Sequence, residues 1–230
     1  MRILTESSII LTSFLVNRLF YRKRLPSPSD IKRILIVKLD HIGDVLLATP
    51  TITNLRLHYP HAHITLLVGS WSKQVIECNP HLDEILCYDS PFFRRSNRGA
   101  TLKDAMQMLQ RLKSERYDLI VELRGDFLTL ALAMLKGGKY QLDRSTQRVL
   151  KKLKNPPCPP LINGGKGGLE GESECSEHEV EINLDVLRSG GIPIISRRTF
   201  FNVPSENQIW AKSFLSELGI DASKPVVAIH

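Results

Sequence analysis

At 230 residues the chain has room for one large domain, or for one domain and part of another, and a hydrophobic share of 42% suffices for a core. The net charge of +7 is concentrated at one end: residues 1–33 carry seven basic and two acidic side chains, which leaves +2 for the other 197 residues. A near-neutral body without a recognition helix, RNA-binding sheet or zinc finger argues against nucleic acid as a partner. Four scattered cysteines with no CxxC pair argue against a zinc ribbon or redox motif and suit free thiols in a reducing compartment.

The head, Ile9 to Tyr21, is apolar but interrupted by Asn17 and Arg18, and falls short of the ~20 residues of a spanning helix. It lacks the small-residue cleavage site of a secretory signal. Followed by Arg22-Lys-Arg24, it reads as a helix lying peripherally on an anionic membrane surface. Residues 1–29 form this segment and a stiff linker through Pro26-Ser-Pro-Ser29.

From residue 30 strand and helix patterns alternate. Strand one is Arg33 to Leu39, and the next helix aligns Val45, Ala48, Ile52, Leu55 and Tyr59 on one face, with Pro50 placed to bend it. The turn at His58, His61 and His63 reads as solvated, since no carboxylate or cysteine completes a metal site there. A second strand, Ile64 to Val68, precedes a short helix near Lys73 to Cys78 and a third strand, Glu84 to Tyr88. Leu102, Ala105, Leu109 and Leu112 mark an amphipathic helix. Strand four, Tyr117 to Leu123, then leads into Gly125-Asp126 and an apolar helix, Phe127 to Leu135. Alternation of this kind predicts an α/β fold, a Rossmann-like parallel sheet with helices on both faces.

Residues 155–177 are rich in Pro and Gly and lack periodicity, so they read as a surface insertion. Gly164-Gly-Lys-Gly-Gly168 follows no strand and lacks the Lys-Ser/Thr ending of a phosphate loop. A helix returns at His178 to Arg188 and ends at Gly190-Gly191. Arg198 to Val203 reads as a short strand, and Ser205-Glu-Asn-Gln208 as a capping box opening a helix. Pro225 to His230 reads as one more buried strand, so that residues 30–203 form one domain and 204–230 the cut entrance to a second.

The chemistry concentrates at the end of strand one. The turn after Val37 carries Lys38, Asp40, His41, Gly43 and Asp44 past the strand's carboxyl end, where open α/β sheets bind ligands. Asp44 falls on the first turn of a helix, whose free N–H groups and dipole favour the ionised form, and an ionised, positioned Asp can serve as a general base. The bland role for Asp44 is helix capping; for Gly43 it is a tight turn that suits a residue without Cβ. The second Gly-Asp turn, ending in Asp126, belongs on the same rim. No GxGxxG follows strand one, which disfavours a dinucleotide dehydrogenase.

Ile34-Leu-Ile-Val-Lys-Leu-Asp-His-Ile-Gly-Asp-Val-Leu-Leu-Ala-Thr-Pro50 closely resembles the opening of the family 9 glycosyltransferases, the lipopolysaccharide heptosyltransferases. Tyr117 to Asp126, His178 to Leu184 and Pro225 to His230 fit in the same order. The resemblance implies the N-terminal domain of a GT-B enzyme in which one half binds a glycolipid acceptor and the other a nucleotide-sugar, usually ADP-heptose. It further implies transfer with inversion, no metal or other cofactor, and a cytoplasmic site at the inner face of the inner membrane. By the same resemblance Asp44 is the base, Lys38 meets donor phosphate or the base, and Arg124 lies on the acceptor side. Asp40, His41, Gly43, Asp126 and His178 line the substrate cleft. The family's donor site falls almost wholly beyond His230. The alternative is therefore a module that keeps the acceptor domain and cannot transfer.

Overall fold

The computed structural model describes residues 25–89, 101–125, 139–145, 147 and 177–220. Five strands form one parallel sheet: β1 (Arg33–Val37), β2 (His63–Val68), β3 (Glu84–Cys87), β4 (Leu119–Glu122) and β5 (Tyr140–Asp143), in the order β3-β2-β1-β4-β5. Ile34 pairs with Ile64 on one side and Leu119 on the other. The chain thus starts in the middle of the sheet, builds outward through β2 and β3, and then crosses to β4. That reversal makes the carboxyl ends of β1 and β4 the topological switch point of the sheet, where open α/β sheets bind ligands.

Both faces are covered, which is why the central strands read as unbroken apolar runs. Ile34 and Ile36 face a core shared with α1 (Ile42–Leu46), α2 (Thr49–His58), α3 (Lys73–Ile76) and α5 (Glu179–Ser189). Leu35 and Val37 face the opposite core under α4 (Leu102–Ser114). Val45, Ala48, Ile52, Leu55 and Tyr59 are all buried, as their spacing predicts. The expected single helix is in fact two, because Pro50 sits in the first turn of α2 and has no N–H to continue the α1 ladder.

Three expectations need correction. Arg198 to Val203 forms no strand; Asn54 of α2 captures the neighbouring chain instead. Its Oδ1 accepts from the N–H groups of Ile195 (2.6 Å) and Ser196 (3.1 Å), its Nδ2 donates to Ser196 O (2.6 Å), and Phe200 N–H donates to Thr49 Oγ1 (2.8 Å). Side chains therefore take the bonds that a sheet would have supplied. The capping box at 205–208 is also absent: α6 (Ser205–Glu217) starts one residue earlier than a Ser205 cap requires, after Pro204, and Gln208 Nε2 donates to Val203 O. β5 was not anticipated at all. No residue of α6 is buried, and Trp210 and Phe214 stack on its surface. The head at 1–24, the helix expected at Phe127 to Leu135, the insertion up to residue 176 and the strand at Pro225 to His230 lie outside the described residues. Among the described residues no helix is long and apolar enough to cross a membrane.

Two aspartates secure the starts of the central strands. Asp118 Oδ2 accepts from the N–H groups of Lys32 (3.0 Å) and Arg33 (3.2 Å), and Asp83 Oδ2 accepts from Ile64 N–H (2.7 Å) and Arg56 (2.5 Å). Burial pushes both carboxyls up, but the hydrogen bonds and neighbouring cations outweigh it and hold them below the usual aspartate range. Their stabilisation is thus complete above the unfolded value near 4 and is lost as pH falls through the lower folded values. We expect the urea midpoint to drop on acidification below about pH 4, with Asp83→Asn and Asp118→Asn each reducing that drop.

Candidate active site

The strand-one turn is held rigidly from outside. Trp71 Nε1 (3.0 Å) and Ser72 Oγ (3.3 Å) both donate to Asp40 O, while Asp40 N–H closes onto Lys38 O. His41 then enters α1 in extended backbone, with no side-chain cap, and Asp44 is the helix's third residue. Asp44 is half-buried. Where the helix start alone would hold its carboxyl down, burial pushes it up, and the Asp40 and Glu179 carboxylates add to the rise against the pull of Lys38 and His41. A carboxylate with raised proton affinity is a better proton acceptor than an ordinary surface aspartate. Gly43 has no steric reason at this turn, contrary to expectation, since a Cβ would meet nothing within 4 Å.

Lys38 is fully buried, which rules out a solvent-facing lysine. Its Nζ donates to Leu123 O (3.1 Å) and Glu179 Oε1 (3.0 Å) and lies 3.4 Å from Asp40 Oδ2. Arg144, just past β5, grips the same Glu179 with both amino groups (2.6 and 2.9 Å) and donates to the same Leu123 carbonyl (3.2 Å). Burial pushes the Glu179 carboxyl up, but Arg144 and Lys38 together hold it below the usual glutamate range. One carboxylate at the start of α5 thereby joins the ends of β1, β4 and β5. The Lys38 ammonium points at protein acceptors, so contact with a phosphate would require it to leave them.

The β4 end is shaped by buried Glu122, whose carboxylate accepts from the N–H groups of Arg124 (2.7 Å) and Gly125 (2.8 Å). Gly125 has φ +79°, a left-handed conformation that favours glycine, and a Cβ there would press on Arg144 at 3.4 Å. Arg124 reaches across to Leu39 O and so shares the rim with the strand-one turn. His178 caps α5, its Nδ1 accepting from Val180 N–H at 3.3 Å. The structure therefore gathers Lys38, Asp40, Asp44 and Arg124 with His41, Gly43 and His178 at the carboxyl rim, whereas Asp126 lies outside the described residues. Glu179 and Arg144 were not singled out from the sequence. Among the described residues no group of three or more His, Cys, Asp or Glu side chains is placed to hold a metal ion.

The chain has counterparts among known proteins. Lipopolysaccharide heptosyltransferase 3 of Escherichia coli K12 is 28% identical over 158 residues, covering 65% of this chain and 40% of its own. The crystal structure of the glycosyl transferase family 9 from Veillonella parvula matches with TM-score 0.59 and 22% identity over 84% of this chain and 51% of that one. The chain is similar in sequence to lipopolysaccharide heptosyltransferases and in fold to a family 9 glycosyltransferase. E. coli heptosyltransferase WaaC with ADP-2-deoxy-2-fluoro heptose matches with TM-score 0.51 and 20% identity, over 76% of this chain and 56% of WaaC. No family model matches. The chain thus spans about half the length of the proteins it resembles.

Proposed function

We propose that this chain is the acceptor-side half of a glycosyltransferase that moves a sugar, heptose in the first instance, from a nucleotide-sugar such as ADP-heptose to a lipopolysaccharide-type glycolipid. Asp44 takes the proton of an acceptor hydroxyl as its oxygen attacks the anomeric carbon. The new glycosidic bond forms on the face opposite the departing nucleoside diphosphate, with inversion. The observation that carries this reading is Asp44 itself: a half-buried carboxylate of raised proton affinity at the switch point of the sheet. The names of the heptosyltransferase relatives support the sugar and the glycolipid. In this reading Arg124, His41 and His178 face the acceptor, and no resident metal or cofactor takes part.

The deciding test is transfer from a panel of nucleotide-sugars to heptose-deficient lipopolysaccharide, read as an acceptor mass increase. It should be run with this chain and with the complete gene product. A single added heptose from ADP-heptose supports the proposal; no transfer by either protein from any donor sinks it. The Lys38 ammonium, held by protein acceptors, favours a second reading, an acceptor-binding module without transfer. Lipopolysaccharide binding with no turnover would select that one.

We also propose that residues 1–24 contact the anionic inner leaflet peripherally, on the strength of their apolar run and Arg22-Lys-Arg24. Deleting them, while keeping Leu25, which packs on the core, should weaken sedimentation with anionic liposomes and leave the thermal midpoint in place. Equal partitioning of both forms removes the membrane role.

A further inference from the structure

The proton-accepting role of Asp44 poses a problem that the hub beneath it answers. A lysine six residues away, just past the end of β1, would ordinarily pair with such a carboxylate and weaken it as a base. Lys38 instead pairs with Asp40 and Glu179, and no ion pair joins it to Asp44 among the described residues. The ion pairs explain the arrangement. Two buried cations, Lys38 and Arg144, share the Glu179 carboxylate around the Leu123 carbonyl, and Lys38 also reaches Asp40. Without Glu179 both cations would lose the carboxylate that they share.

We propose that Glu179 is a positioning residue: its carboxylate draws the Lys38 ammonium into the buried hub and neutralises the charge there, leaving Asp44 to take the substrate proton. This rests on the reading of Asp44 as the base. The groups acting on Asp44 are Asp40, Lys38 and His41 from the strand-one turn and Glu179 from α5, with Arg144 standing behind Glu179. Of these, Glu179 alone arrives from a distant part of the sequence, and it sits on the first turn of an eleven-residue helix whose dipole further favours its charge. Neutralising it removes a repulsive charge and frees an attractive one, and both changes favour ionised Asp44.

The test is an NMR titration of the Asp44 side-chain carboxyl in the 230-residue chain. Glu179→Gln should shift the Asp44 midpoint downward. Glu179→Asp, which keeps the charge, and Glu181→Gln, on the same helix but paired outward with Arg188 and Arg197, should leave it near wild type. An unmoved midpoint in folded Glu179→Gln overturns the proposal, as does an equal shift in Glu181→Gln. The unsubstituted chain supplies a second measurement in case Glu179→Gln does not fold. On acidification the Lys38 Nζ resonance should follow the Glu179 midpoint; a resonance that follows Asp44 overturns the proposal. The two readings fail separately. Turnover surviving in Asp44→Asn removes the base role whatever the titration shows, whereas an inactive Asp44→Asn with an unmoved midpoint removes only the role of Glu179.

Discussion

Asp44→Asn should lower kcat/KM for glycosyl transfer by about 10²- to 10⁴-fold, the usual contribution of a positioned general base, in the complete gene product with its donor and acceptor supplied. The amide keeps the shape and hydrogen-bonding reach of the carboxylate but cannot accept the hydroxyl proton. Because Asp44 is half-buried on the rim and outside the ion-paired hub, the substitution should not disturb the Lys38, Arg144 and Glu179 contacts. Near-normal turnover in Asp44→Asn would remove the assignment.

The same substitution separates a catalytic from a structural role through stability. Burial raises the Asp44 carboxyl in the folded chain, so between its unfolded and folded values the native state binds more proton than the unfolded state. Its stabilising contribution is present at low pH and is lost as pH rises through the raised value, the reverse of Asp83 and Asp118. At neutral pH the ionised carboxylate therefore costs stability, and Asp44→Asn should hold or raise the thermal midpoint while activity collapses. A helix-capping Asp would behave oppositely, losing stability on substitution. In the wild type, activity should fall on acidification through the raised value of the base.

The architecture was legible wherever burial on both faces left an unbroken apolar signature. Ile34 to Val37 and Leu119 to Val121 are wholly apolar, Ile64 to Val68 is apolar but for buried Thr65, and Val45 to Tyr59 keeps its helical spacing even across the Pro50 break. β5 escaped because Tyr-Gln-Leu-Asp places Gln141 and Asp143 inside; its four residues offer no apolar run. The segment after α5 differs for another reason: Arg198 to Val203 looks like a strand locally, but the Asn54 and Thr49 side chains take up the N–H groups of Ile195, Ser196 and Phe200. At the site, Asp44 and its turn were readable as a contiguous motif. Glu179 and Arg144 were not, since they meet Lys38 from 141 and 106 residues away and no local pattern connects them. One clue was present. A lysine directly after four buried aliphatic residues has nowhere to go but inward, and an inward lysine requires a carboxylate.

That requirement makes Lys38→Ala the substitution with the largest expected cost in stability. Lys38 is fully buried and serves Leu123 O, Glu179 and Asp40 at once. Removing it leaves Glu179 to Arg144 alone, deprives Asp40 of its cation and opens a cavity at the sheet's rim. Breaking a buried pair of this kind costs about 3–5 kcal/mol. By contrast, Arg111→Ala, which breaks the pair of a largely exposed Arg111 with Glu84, should cost less than about 1 kcal/mol. The measurement is the urea midpoint at constant slope, compared among wild type, Lys38→Ala, Glu179→Gln and the double variant. If the hub acts as a unit, the double variant loses clearly less than the sum of the singles, because the second substitution removes a charge that the first left unmatched. Additive losses would mean that Lys38 and Glu179 are held independently, and would dissolve the link between β1 and α5.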